Sequence, residues 1–196
     1  MGPRDPPLRH GGVLRRGRSE RWIGEWAAER GREPVLATKV FHSVTGDPAD
    51  RGLAPDRIRR ELAGSLQRLG LERVDLYLIH EPDPETPVAD TLGALRELAA
   101  EGLVGAVGAS NVDVPFLRRA RGFQWVQNSH SLLEQDEEVL AFCAGEGLGY
   151  TPFGPLAGGW LTGKYRRGEP HPPGSRMRLR PEPYARFVDD RVFDAL

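Results

Sequence analysis

The sequence predicts an α/β fold, a partial (β/α)8 barrel with about five to six of its eight strands present. Three observations lead there. Short apolar runs alternate with helical stretches carrying one apolar stripe, from Ser19 onward. Four successive runs deliver polar groups at their carboxyl ends, where parallel barrels carry their chemistry. The 24 Gly and 17 Pro fall mainly between the periodic segments, as tight loops between strands and helices require.

Taken in order, residues 1–16 are a Pro/Gly/Arg mixture without strand or helix periodicity, set apart from a partial barrel over 17–196. Ser19 is placed to cap a helix with Trp22, Ile23 and Trp26 on one face, stopped at Gly31. A strand runs from Glu33 to Lys39, followed by a polar loop from Gly46 to Gly52. Pro55 opens a helix with Ile58, Leu62, Leu66 and Leu69 on one stripe, ended by Gly70. The strand Val74–His80 follows. Thr86-Pro87 begins a helix with Leu92, Leu95 and Leu98 inward and Gly102 as terminator.

A strand from Val104 to Gly108 runs into Ala109-Ser110-Asn111, and Asp113 caps a short helix through Phe116 and Leu117. Trp125-Val126 leads into Gln127-Asn128, and a helix around Glu137–Glu146 closes at Gly147. The fifth strand, Leu148–Thr151, enters the loop Phe153–Gly159. Beyond Tyr165 the chain is basic and Pro-rich, then weakly helical from Tyr184 to Leu196. The alternation implies parallel strands joined by right-handed crossovers. At 196 residues the chain is shorter than the roughly 250 of a complete barrel.

A net charge of -1 argues against a nucleic-acid or anionic-membrane partner. The single Cys143 has no cysteine to pair with and sits among Val139, Leu140 and Phe142, which reads as packing. No long apolar run suggests a signal peptide or a membrane span, so a cytoplasmic protein is expected. The oligomeric state is left open.

The ordered motifs resemble the NADPH-dependent aldo-keto reductases from Ser19 to about Lys164. Leu36-Ala37-Thr38-Lys39 resembles the strand of the catalytic lysine, and Tyr77-Leu78-Ile79-His80 that of the catalytic histidine. Gly108-Ala109-Ser110-Asn111 and Gln127-Asn128 resemble the groups that hold the nicotinamide carboxamide. Ser131-Leu132-Leu133, Pro155-Leu156-Ala157-Gly158-Gly159 and Leu161-Thr162-Gly163-Lys164 complete the series. The resemblance implies reduction of a small carbonyl substrate, an aldehyde or ketone, with NADPH (NADP) as cofactor. Lys39 and His80 take catalytic roles. Ser110, Asn111, Gln127, Phe153, Gly154, Pro155, Leu156, Ala157, Gly158 and Lys164 take cofactor-binding ones. No metal is implied.

The chemistry of these residue types agrees. Hydride delivery builds negative charge on the carbonyl oxygen, which a proton donor must quench. In the family a Tyr does so, its pKa lowered from about 10 by a Lys paired with an Asp, while the His orients the carbonyl. Side-chain amides and a hydroxyl can fix a carboxamide, and Phe153 can supply an aromatic face. Plainer readings stand beside these. A lysine after a strand is usually solvated, and Asn111 and Gln127 could simply cap loops. Lys39 could also serve as a Schiff-base nucleophile in another barrel enzyme. His80 with Glu81 and Asp83 hints at a metal site, but no second His completes it. His42 and His171, in polar loops, read as surface residues.

The family pattern fails at both ends. Gly17, Ser19 and Glu20 match the end of its first motif, but an ungapped count puts Arg9 at the catalytic Asp, Leu14 at the Tyr and Arg15 at a Gly. Reading the codons of residues 8–15 one base forward permits Phe-Asp-Thr-Ala-Glu-Tyr-Tyr-Gly, so the segment up to about residue 16 is expected to be out of frame. The family continues past the position of Leu196 to a basic 2′-phosphate loop, and His130 stands where Tyr is common. An impaired reductase is therefore expected, poorly stable and weak in cofactor binding; the alternative is a non-catalytic nucleotide-binding or regulatory relative.

Overall fold

A computed structural model describes residues 17–32, 34–47 and 49–196. The segment expected to be out of frame lies outside the described residues. The chain divides into two compact units. One runs to Ser129 and includes Asp136–Phe153; the other joins His130–Gln135 to Gly154–Leu196.

The first unit holds one parallel sheet of five strands in the order β1-β2-β3-β4-β5. These are β1 Ala37–Val40, β2 Val74–Ile79, β3 Val104–Ser110, β4 Trp125–Gln127 and β5 Gly149–Tyr150. Spatial order equal to sequence order, with a helix after nearly every strand, is how a barrel wall is wound; an open doubly wound sheet would reverse direction. The chain is thus α/β and a partial barrel. The helices are α1 Arg18–Arg30, α2 Pro55–Leu69, α3 Val88–Ala100, α4 Val114–Arg119 and α5 Glu137–Glu146.

Most helix signals in the sequence act as expected. Gly31, Gly70 and Gly147 close α1, α2 and α5 in the left-handed conformation, where a glycine avoids the Cβ penalty. The Asp113 carboxylate accepts the Phe116 N–H at 2.7 Å and starts α4. Ser19 is a correction: Gly17 is the N-cap of α1, with no side-chain cap, and Ser19 lies inside the helix.

Register divides the strands into two faces. Thr38, Val40, Tyr77, Ile79, Val107, Ala109, Val126 and Tyr150 face the helices, and most of them form the main core with Ile58, Leu62, Leu95 and Leu98. Tyr77 is fully buried and its hydroxyl donates to the Ile58 carbonyl of α2 at 3.1 Å. Thr38 donates to Glu20 of α1 at 2.7 Å, and Glu20 also binds Arg68 of α2 at 2.5 Å. Strand β1 is shorter than expected: Val35 is 88 % exposed and outside the ladder. On α1 only Ala27 is fully buried, leaving Trp22 49 % and Trp26 46 % exposed.

In the second unit, buried Trp160 packs with Tyr165 (ring centroids 5.0 Å apart), Phe193 (5.3 Å) and Phe187 (6.4 Å), and Met177 joins the cluster. Its helices are α6 Arg176–Leu179 and α7 Asp190–Ala195, with 3-10 segments at Ala157–Thr162 and Glu182–Phe187. Helical turns after Glu182 bear out the weakly helical end. Among the described residues no helix is long and apolar enough to cross a membrane.

Candidate active site

The other face of the sheet gathers the residues singled out from the sequence. Lys39 pairs in register with Leu78, Leu78 with Gly108, and Gly108 with Trp125. Side chains alternate along a strand, so Lys39, Leu78, Gly108 and Trp125 share that face. Two residues further on, His80, Ser110 and Gln127 return to it at the carboxyl ends of their strands. Thr151 and Phe153 continue the same alternation past Gly149 of β5.

Glycines shape this face. A Cβ on Gly108 would stand 2.5 Å from Leu78 Cδ2 and 2.6 Å from the Trp125 carbonyl oxygen, and one on Gly149 would enter the Trp125 indole. The indole therefore lies across Gly149, and its Nε1 donates to Thr151 Oγ1 at 2.6 Å. Trp125 closes the layer that it shares by register with Lys39, Leu78 and Gly108, and leaves the layer two residues further on to His80, Ser110 and Gln127.

Asn111 adopts a left-handed conformation (φ 56°), which Asn tolerates better than most side chains. Its Nδ2 donates to the His80 carbonyl at 2.8 Å and to Ser110 Oγ at 3.3 Å, while Ser110 Oγ donates to the Gln127 carbonyl at 2.7 Å. Three strand ends are thereby tied together. Buried Asn128 turns away from this set: it accepts the Val112 N–H and donates to the Val112 carbonyl and to Asp136.

Burial lowers the Lys39 pKa, and among the described residues no carboxylate pairs with it. Neither tyrosine of the sheet lies on this face. Tyr77 is spent on α2, its pKa raised by burial and then by Glu61, and Tyr150 faces the helices with its pKa pushed up to about 12 by burial, then by Asp136. Positions 9 and 14 lie outside the described residues.

The loops beyond β1 and β2 are clamped. Buried Arg57 donates to the carbonyls of Asp50 (2.8 Å), Gly52 (3.1 Å) and His42 (3.3 Å). Asp83 accepts from Leu53 N (2.8 Å), Glu85 N (2.9 Å) and Thr86 Oγ1 (2.8 Å). His42 keeps 36 % of its side chain exposed, as a loop residue at the surface does, while its ring packs edge-on to His80, centroids 4.6 Å apart at 72°. His171 is likewise ring-packed, 5.4 Å from Tyr165. Trp125 was within reach of the sequence, lying two residues before Gln127 on the same strand face. Nothing in a polar loop could have announced His42.

Gly154, Pro155, Leu156, Ala157, Gly158 and Lys164 belong to the second unit. Ala157, Gly158 and Gly159 have positive φ in succession (47°, 65°, 102°), and the Ala157 and Gly159 N–H groups donate to the Gly154 and Leu156 carbonyls, each at 2.8 Å. A Cβ on Gly159 would stand 2.5 Å from Lys164 Cε, so the Lys164 side chain lies directly over the loop. Among the described residues no cluster of His, Cys, Asp or Glu is composed to hold a metal ion.

The aldo/keto reductase family pattern matches residues 11–191. The chain is 34% identical over 170 residues to the NADH-specific methylglyoxal reductase of Escherichia coli, covering 77% of this chain and 52% of that protein. It is 38% identical over 167 residues to an uncharacterised oxidoreductase of Bacillus subtilis, covering 76% of this chain and 51% of the relative. Among solved structures, the glycerol dehydrogenase of Gluconobacter oxydans superposes with a TM-score of 0.76 at 28% identity, over 91% of this chain and 57% of that one. The chain belongs to the aldo/keto reductase family of oxidoreductases. It spans about half the length of the curated relatives it matches.

Proposed function

We propose that this site is built for NADPH-dependent reduction of an aldehyde or ketone to an alcohol. The observation that carries the reading is the shared sheet face, on which register sets Lys39, His80, Ser110 and Gln127 at consecutive strand ends. The donor set suits the cofactor. The amides of Asn111 and Gln127 and the Ser110 hydroxyl match a carboxamide, which needs both donors and acceptors. The Lys164 ammonium, lying over the Ala157–Gly159 turn, matches a phosphate. Phe153, partly exposed, offers a ring face.

When bound, the nicotinamide supplies a hydride for the carbonyl carbon. His80 would donate to the carbonyl oxygen and orient it. Lys39, whose pKa burial lowers, would perturb the pKa of a proton donor set beside it, the role a lysine takes in the family. Asn111 acts on His80 as well, because its amide fixes the backbone carbonyl of that residue.

A second reading, a non-catalytic nucleotide-binding protein, draws support from the proton donor. Arg9 and Leu14 stand where the family carries Asp and Tyr, and both sheet tyrosines face the helices. On this reading the cofactor binds without turnover.

Fluorescence titration with NADPH and with NADH tests the proposal. NADPH should bind more tightly than NADH; Lys164→Ala should weaken NADPH about ten- to a hundredfold, since a hydrogen bond to a charged phosphate is worth about 1.5–3 kcal/mol, and Asn111→Ala about two- to tenfold, since one to the neutral carboxamide is worth about 0.5–1.5 kcal/mol. NADPH binding unchanged by both substitutions would refute the assignment. Equal affinity for the two cofactors would refute the NADPH preference alone.

A further inference from the structure

Helix α1 turns its largest side chains away from the core. Its inner side is held by three residues: Glu20 binds Thr38 and Arg68, a Cβ on Gly24 would stand 2.4 Å from the Leu69 carbonyl oxygen, and Ala27 is buried. At about 100° per residue, Arg18, Trp22, Trp26 and Glu29 fall on the opposite side. Trp22 is 49 % and Trp26 46 % exposed. The Arg18 guanidinium lies 4.8 Å from the Trp22 ring centroid, one turn away, and steadies that indole on the helix surface. Two outward tryptophans beside an arginine are the side chains in which contact surfaces concentrate their binding energy.

The two charges at the ends of this stripe work against the helix itself. Arg18 is its first residue and Glu29 lies in its last turn, whereas the helix dipole favours acid at the start and base at the end. Helix stability therefore does not explain them. A second helix laid on the stripe in the reverse direction does. Read from one end to the other, the stripe is positive, aromatic, aromatic, negative. Turned end for end it complements itself, with Trp22 meeting Trp26 and Arg18 meeting Glu29. A twofold axis across the middle of the helix produces both sets of contacts twice. Side by side in the same direction, like charges would meet instead.

We propose that the outer face of α1 is a self-association surface, on which a second copy of this chain lays its own α1 antiparallel, Trp22 against Trp26 and Arg18 against Glu29. The inference stands apart from the reductase reading. A helix of 13 residues is about 20 Å long, and one such face is smaller than the roughly 800 Å² per partner of a standard interface. The dimer is accordingly weak and reversible.

Sedimentation equilibrium of the full chain, from micromolar to millimolar protein, tests this. The average mass should rise from monomer to dimer and level off there. Arg18→Glu and Glu29→Arg should each weaken the dimer about three- to tenfold, because each places like charges in contact twice. Both changes also agree with the helix dipole, so each variant should keep its helix, as far-UV circular dichroism reports. The two together should return the dimer to within about twofold of the wild type. Trp22→Ala should weaken it at least about tenfold.

A chain that stays monomeric up to millimolar concentration overturns the proposal, whether residues 1–16 or another partner take the face. Growth in mass that passes the dimer without levelling off overturns it as well. Single charge variants that dimerise like the wild type, or a double variant that fails to recover, overturn the antiparallel pairing of Arg18 with Glu29. The wild-type concentration series decides the matter even if a variant fails to fold.

Discussion

Asp83 occupies the space in which a side chain at residue 52 would begin. Its Oδ2 lies 2.9 Å from the position of a Cβ on Gly52, whose φ is 107°, and the same oxygen accepts the Leu53 N–H at 2.8 Å. The carboxylate thereby locks the loop after β1, which carries His42, to the loop after β2, which follows His80. Gly52→Ala should be doubly unfavourable, through backbone strain and through collision with this carboxylate. Asp83→Ala should cost about 1–3 kcal/mol, because two N–H groups and the Thr86 hydroxyl lose their acceptor. Urea unfolding of the two variants measures both losses; an Asp83→Ala midpoint equal to that of the wild type would show that the clamp is not structural.

The same carboxylate predicts a pH dependence. Partial burial acts to raise the Asp83 pKa, but hydrogen bonds from Glu85 N, Thr86 Oγ1 and Leu53 N outweigh it, so the folded value is lowered. The unfolded chain then binds the proton more tightly. The stabilisation is fully present above the unfolded carboxylate value of about 3.9 and is lost as pH falls through the folded value. The stability gap between wild type and Asp83→Asn should be constant from pH 7 to 5 and narrow below about pH 4. A gap that widens on acidification would reverse the assigned sign.

Lys39 carries a linkage of the same sign, displaced to higher pH. Burial lowers its pKa, so between the folded value and the unfolded value of about 10.4 the unfolded chain holds more protons and stability rises with pH. Lys39→Met removes a charge that burial disfavours and keeps the apolar stem. It should stabilise the fold at neutral pH, with the advantage shrinking as pH approaches about 10.4. Thermal melts of the two proteins across that range give the comparison, and a Met variant less stable at pH 7 would mean that the ammonium has a favourable partner.

Trp125 and Gly149 form a size-matched pair beneath the site. Gly149→Ala drives a methyl into the indole and should cost about 1–3 kcal/mol, as overpacked cores do. Trp125→Phe shrinks the ring and forfeits the hydrogen bond to Thr151. In the double variant the smaller ring should accept the methyl, giving a favourable coupling of at least about 0.5 kcal/mol. Strict additivity of the two losses would show that the rings and backbone shift independently.

How far the sequence discloses this molecule follows from periodicity. Strand ends, helix stops at Gly31, Gly70 and Gly147, and the cap at Asp113 are local features, and each is visible in a few consecutive residues. The grouping of Lys39, His80, Ser110 and Gln127 follows once the strands are taken as parallel and in order, since a period of two sends all four to one face. What stayed hidden depends on loops closing in space. His42 meets His80 only because Arg57 and Asp83, from other segments, pin the two loops. The helix starts two residues before Ser19 suggests, because Gly17, with its left-handed backbone, begins it without a capping side chain.

The last prediction concerns the missing acid. Tyr77 gives its hydroxyl to the Ile58 carbonyl, and Tyr150 lies on the helix-facing side with its pKa pushed up to about 12. Neither sheet tyrosine can protonate an oxygen on the Lys39 face. Among the described residues no carboxylate pairs with Lys39, and by the ungapped count Arg9 stands at the position of the family Asp. The chain should therefore show no oxidation of NADPH above background with 4-nitrobenzaldehyde. A positioned general acid alone is worth about 10²–10⁴ in rate. Arg9→Asp, Leu14→Tyr and Arg15→Gly together, in a chain extended to the length of its full-length relatives, should restore turnover. Lys39→Met or His80→Ala should then cut it by about 10² or more. Robust turnover by the unaltered chain would mean that another group delivers the proton. Restored turnover indifferent to Lys39→Met would remove that lysine from the mechanism.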